Sequence, residues 1–124
     1  MIDFTNPSYV KLTPVHEGVA EELVGPLLVD GEIIFAGFKG IRDTVVFTTH
    51  RIIAVNLQGL TGKKRDYTSL PYKKITAFSF ETAGTFDRDA EMEVYLSGLG
   101  KVRFEFGRGF DVPAFSAMIA QYIL

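Results

Sequence analysis

The chain has 124 residues, 47% of them hydrophobic and 23% charged, with a formal net charge of −2 and no cysteine. That length supports one core, the balance of residue types is not that of a disordered or membrane-spanning chain, and the missing cysteines exclude disulfides and thiolate metal sites. A slightly negative molecule offers no general field for polyanions, so nucleic acid is not an expected partner.

Met1-Ile2-Asp3-Phe4 lacks the basic start and apolar stretch of a signal peptide, and no apolar run approaches the ~20 residues that span a bilayer. The expectation is a cytoplasmic protein folded as a single domain over residues 1–124. Thr13-Pro14 reads as a helix start, since the hydroxyl can cap free amides and proline is tolerated in a first turn. A helix over about 14–25 would carry Val15, Val19 and Leu23 on one stripe, with Val24 beside them, and would end at Gly25-Pro26.

From Asp30-Gly31 onward, short β-rich runs alternate with glycine, asparagine and aspartate. Seven strands are expected, near Glu32 to Phe38, Asp43 to Thr48, Arg51 to Asn56, Arg65 to Leu70, Lys74 to Glu81, Glu91 to Leu96 and Lys101 to Phe106. The final hairpin is the clearest: Met92, Val94 and Leu96 alternate with Glu91, Glu93 and Tyr95, and Val102, Phe104 and Phe106 with Lys101, Arg103 and Glu105. Its turn, Ser97-Gly98-Leu99-Gly100, supplies two glycines for positive φ, and outward acids and bases can pair across the ladder. Most of the eleven phenylalanines belong in the core; Phe78 and Phe80 share one strand face, Phe104 and Phe106 another.

Asp111 then caps a closing helix ending near residue 123. Phe115, Met118, Ile119 and Tyr122 have the spacing of a face laid on a sheet, while Ala114, Ala117, Ala120 and Ile123 occupy the reverse face. No charged side chain occurs from Val112 to Leu124. A surface helix normally carries charge on its outer side, so the reverse face is a candidate oligomer interface, with a second copy of the chain as its first partner.

The fold class is mainly β with a capping helix, and specific residues narrow it. Ile41-Arg42-Asp43, Val46-Phe47-Thr48-Thr49-His50-Arg51-Ile52-Ile53, Gln58-Gly59-Leu60-Thr61-Gly62-Lys63-Lys64, Leu70-Pro71-Tyr72-Lys73-Lys74-Ile75 and Phe78-Ser79-Phe80-Glu81-Thr82-Ala83-Gly84-Thr85-Phe86-Asp87 resemble, in order, the bacterial pleckstrin-homology family, once filed as a domain of unknown function. The resemblance covers about half the chain. It implies a PH-like barrel of seven antiparallel strands in two nearly orthogonal sheets, plugged by the last helix, with the N-terminal helix as an addition. It also implies a ring-forming homo-oligomer such as a pentamer. In this reading the Thr48–Arg51 hydroxyls bond nearby amides in a hairpin turn, and Pro71 is the first residue of a strand.

Eukaryotic relatives of this fold hold phosphoinositide headgroups through bases near the first loop; here that loop offers only Lys39 and Arg42, beside Asp43. Weak or no lipid binding is expected there, with an Arg42–Asp43 ion pair as the plain alternative. Lys63, Lys64, Arg65, Lys73 and Lys74 form a denser group that could meet an anionic surface if the five came together. Asp87, Asp89, Glu91 and Glu93 alternate as strand ligands might, but their spacing misses a calcium loop and Arg88 sits among them, so no metal and no cofactor is expected. His16 and His50 have no sequence reason to converge, and no nucleophile or phosphate-loop motif occurs, so no catalytic residue is assigned. The expected function is a non-catalytic binding and scaffolding module that self-assembles and recruits an unidentified protein partner. A membrane-surface adaptor working through the basic hairpin is the alternative, and a small-molecule carrier the third reading.

Overall fold

A computed structural model describes residues 1–5, 7–60, 63–82, 90–107 and 110–124. Its elements are β1 (Ser8–Pro14), α1 (Glu17–Val24), β2 (Ile34–Lys39), β3 (Asp43–Thr48), β4 (Arg51–Gln58), β5 (Lys64–Pro71), β6 (Ile75–Glu81), β7 (Ala90–Leu96), β8 (Gly100–Phe106) and α2 (Val112–Ile123). The strands form one curled sheet in the order β5-β4-β3-β2-β1-β8-β7-β6, a half-barrel whose edges are β5 and β6. A 3-10 turn, Tyr72–Lys74, carries the chain from one edge to the other.

The seven expected strands are present within two residues of their predicted ends. The eighth, β1, replaces the start of the expected helix. It pairs antiparallel with β2 and parallel with β8, joining the two halves of the sheet. Its alternation is hidden because the register slips between Tyr9 and Leu12, where Lys11 adopts a φ of 54°. The buried residues therefore fall three apart instead of two.

Helix α1 begins three residues later than expected, with His16 as its cap: Nδ1 accepts from the Gly18 amide at 3.2 Å. This start shifts the apolar stripe. Ala20 and Val24 are buried, Leu23 partly so, and Val19 is 44% exposed. The helix lies on the outer side of the sheet, over Val46, Ile53 and Val55. Gly37 permits that approach, since a Cβ there would stand 3.1 Å from the Ala20 Cβ.

Inside the curl, Phe47 is the centre of a ring cluster with Phe35, Phe38, Phe104, Phe106 and Phe115, at centroid separations of 5.0 to 6.5 Å. Every described phenylalanine belongs to this core or packs against it. Helix α2 starts where expected, the Asp111 carboxylate accepting from the Ala114 amide at 3.1 Å. It buries Phe115 and Ile119 beside β6 and the 3-10 turn. The closing hairpin is as read from its alternation, with Gly98 and Gly100 at φ values of 83° and 119°. Pro71, expected to open a strand, instead ends β5, an edge strand where a missing amide donor is tolerated.

Candidate functional site

The turn between β3 and β4 is tied to the loop entering β2 by a buried ion pair. Glu32 accepts from Arg51 through both oxygens, Nε to Oε2 at 2.9 Å and Nη2 to Oε1 at 3.0 Å. The Thr48 hydroxyl donates to the same carboxylate at 2.6 Å, and the Val29 amide donates at 3.1 Å. Burial alone would raise the Glu32 carboxyl, but the Arg51, Thr48 and Val29 donors outweigh it and hold the group at about 2. Thr48 Oγ also accepts from the amides of His50 and Arg51, which is the hairpin role expected of the threonine. Tyr72 donates to the Thr48 carbonyl at 2.7 Å. Burial, with Glu32 and Tyr122 adding to it, raises that phenol well above its ordinary range. The residues that carry the family resemblance thus brace one another.

Beside this lock opens a hollow of about 320 Å3 walled by Val29, Pro71, Tyr72 and Tyr122, with His50 and Lys73 at its rim. Tyr122 is fixed there by stacking on Phe35, with centroids 5.3 Å apart. Along the rest of α2, Ala114, Ala117, Met118, Gln121 and Tyr122 face outward without a charge among them. Of the candidate interface residues, Ala114 and Ala117 are exposed and Ala120 is half-buried. Ile123 turns partly into the core, while Met118 and Tyr122, expected against the sheet, stand at the outer margin. The helix is rotated relative to its expected phase, because Phe115, Ile119 and Ile123 at four-residue spacing form the packed line.

The five bases of the expected patch do not gather. Lys64 and Arg65 open β5, while Lys73 and Lys74 follow its far end, roughly 23 Å away at about 3.3 Å per residue. Arg65 instead shares a hollow with the first-loop bases Lys39 and Arg42. Arg42 donates to the Gly59 carbonyl at 3.3 Å, and Asp43 accepts from Asn56 at 2.9 Å, so these neighbours do not pair with each other.

Asp87 and Asp89 lie outside the described residues, as do Arg88 and Phe86. Glu91 and Glu93 face Arg103 at 3.7 and 3.8 Å, and Lys101 reaches Glu93 at 3.3 Å, as the facing charges of the hairpin suggested. Among the described residues no three His, Cys, Asp or Glu side chains gather as metal ligands. No described helix is long and apolar enough to cross a membrane. His16 and His50 remain apart, one capping α1 and the other in the β3–β4 turn beside the Thr49 hydroxyl at 2.8 Å.

The arrangement agrees with what the chain is similar to. The family described as Bacterial PH domain matches residues 3–123. The uncharacterized protein YjqA of Bacillus subtilis (strain 168) is 51% identical over 80 residues, covering 64% of this chain and 63% of that protein, which is less than two thirds of its length. A crystal structure of a DUF1696 family protein with a pleckstrin-homology domain from Shewanella loihica PV-4 matches with a TM-score of 0.79 and 40% identity, covering 93% and 99% of the two chains. A pleckstrin-homology domain from Shewanella amazonensis SB2B matches with a TM-score of 0.66 and 43% identity, covering 89% and 90%.

Proposed function

As the chain belongs to the bacterial PH domain family, whose fold serves as a non-catalytic binding module, we propose that it assembles with copies of itself through α2 and recruits a protein partner to the assembly. One observation carries this reading: the outer face of α2 is exposed yet uncharged, and Leu124 beyond it is 91% exposed. Such a surface loses little on desolvation and gains when a neighbour covers it. The partner face is a different surface on the next copy, and contacts of that kind repeat around a ring when the rotation closes. Repetition then strengthens weak contacts to the recruited protein through effective concentration.

Light scattering at tens of micromolar protein tests the premise, with a particle mass several times that of the chain expected. Ala117→Glu places an unpaired charge in the joint and is expected to give a monomer with unchanged circular dichroism. A wild-type monomer, or an Ala117→Glu variant that still assembles, overturns the reading.

A further inference from the structure

The lock between Glu32 and Arg51 also sets the chemistry of the hollow beside it. Glu32 accepts from Arg51, Thr48 and the Val29 amide, which fills the acceptor sites of the carboxylate. Arg51 is committed as well, to Glu32, the Ser69 hydroxyl and the Leu27 carbonyl. Neither charge is free to meet a visitor. What the hollow of about 320 Å3 presents is an apolar floor of Val29, Pro71, Tyr72 and Tyr122, with His50 and Lys73 above it.

The Lys73 side chain is exposed and forms no ion pair among the described residues. Thr49 Oγ accepts from the Ile33 amide at 3.1 Å, which leaves its proton for His50 Nδ1 at 2.8 Å; this pairing assigns the proton of the neutral ring to Nε2. An ammonium and an imidazole N–H thus stand over two tyrosine rings, with no uncommitted carboxylate among the lining residues. The complement of such a surface is an aromatic group with an acid beside it.

The floor is held before anything binds. The Tyr72 hydroxyl donates to the Thr48 carbonyl at 2.7 Å, and Tyr122 stacks on Phe35 with centroids 5.3 Å apart, so little side-chain freedom remains to be lost on binding. Val29 and Tyr122 are nevertheless 57% and 38% exposed. A small molecule seated against them would stay wet on one side, whereas sites for small ligands bury most of the ligand surface. A protein segment brings its own cover. Leu27 and Ile33, tied to the same turn by backbone bonds to Arg51 and Thr49, extend the exposed apolar surface on which that cover can rest.

We infer that this hollow receives a segment of a partner protein in which an aromatic side chain stands next to an aspartate or glutamate. The ring lies on Tyr72 and Tyr122, and the carboxylate accepts from Lys73 and His50. The inference rests on the reading that the chain recruits a protein, and adds what that protein must present.

The capped peptides acetyl-Gly-Asp-Phe-Gly-amide and acetyl-Gly-Phe-Asp-Gly-amide are the probes, added to the full chain while amide chemical shifts are followed. Saturable shifts centred on residues 27–33, 49–51, 72–73 and 122 are expected from the better of the two. Asparagine in place of the acid, or alanine in place of the ring, should each weaken that peptide several-fold. Lys73→Glu is expected to weaken it about tenfold, as loss of a charge-assisted contact does. Val29→Glu, also at an exposed position, should do the same by setting a carboxylate against the incoming acid. Lys64→Glu makes the same change in net charge as Lys73→Glu at the opposite end of β5, beyond the reach of screened charge, and should leave binding unchanged. No saturable shifts at tens of millimolar peptide, shifts centred elsewhere, full binding of the asparagine or alanine peptide, or equal weakening in Lys64→Glu overturns the proposal.

Two further titrations separate the other occupants. 3-Phenylpropanoate carries a ring and a carboxylate in one small molecule and is expected to bind several-fold more weakly than the peptide; equal or tighter binding makes the hollow a small-acid site and overturns the partner segment. Peptide binding is expected in both the wild type and Ala117→Glu. Binding in Ala117→Glu alone would mean that a neighbouring copy already fills the hollow, which also overturns the proposal. A wild type that assembles but binds no peptide removes the hollow and leaves self-assembly standing, while a monomeric wild type that binds the peptide supports the hollow and removes self-assembly.

Discussion

Strands β2 to β5 and strands β6 to β8 share one core, but their other faces meet different surroundings. In the first half, Thr44 to Thr48 and Ile52 to Val55 are buried without interruption, because inward residues meet the phenylalanine cluster and outward residues such as Val46 and Ile53 meet α1. In the second half the pattern alternates: Met92, Val94 and Leu96 go in, while Glu91, Glu93 and Tyr95 remain at the water side. A continuous apolar run thus marks a strand with a second covering layer, and strict alternation marks one that faces water.

The largest break in this comparison is expected at the lock that fixes the covered half. Arg51→Ala leaves the Glu32 carboxylate buried without its partner, and removing one member of a buried pair costs about 3–5 kcal/mol. Urea unfolding at neutral pH measures the loss. A cost below about 1 kcal/mol would mean that water reaches Glu32 and the lock is not closed.

Acid should open the same lock. Because the Glu32 carboxyl is depressed from an ordinary 4.5 to about 2 in the folded chain, its contribution is complete above 4.5 and disappears as pH falls through about 2. The shift corresponds to roughly 3 kcal/mol. Urea midpoints at pH 7, 4 and 3 are expected to fall for the wild type, while Glu32→Gln, already destabilised at pH 7, lacks this part of the decline.

Much of this architecture is legible in the sequence, and the exceptions share a cause. Seven strands, the Asp111 cap and the final hairpin follow from periodicity and local chemistry, which act over a few residues. β1 was hidden by a bulge at Lys11 that breaks the alternation, and its pairing with β8 spans most of the chain. Glu32 and Arg51 are 19 residues apart, and no local pattern announces that one will bury the other. The same holds for Lys39, Arg42 and Arg65, which read as two separate basic groups until the strand register makes them neighbours. The absence of charge on α2 is readable in the sequence; its rotation, which turns Ile123 inward, depends on the core it meets.

A smaller effect separates the two outer faces. Ile53→Val removes one methylene under α1, where Ile53 is fully buried, and should cost about 0.5–1.5 kcal/mol. Tyr95→Ala, an outward change of greater size on β7, should stay within about 0.5 kcal/mol. Equal costs would show that α1 does not seal the face it lies on.

The smallest effect is expected at Arg103, whose contacts with Glu91 and Glu93 lie at 3.7 and 3.8 Å on a half-exposed ladder. Such pairs contribute about 0.2–1 kcal/mol and are screened by salt, so Arg103→Ala should be mild and milder still in 1 M sodium chloride. Its value lies in being small. If the cost instead exceeded about 2 kcal/mol and grew with protein concentration, the ladder would have to be desolvated, because only burial makes the loss of one partner from an ion pair so damaging. Burial that depends on concentration comes from a neighbour, so the joint between copies would then run over the charged face of β7 and β8, and α2 would lose its place as the surface that assembles.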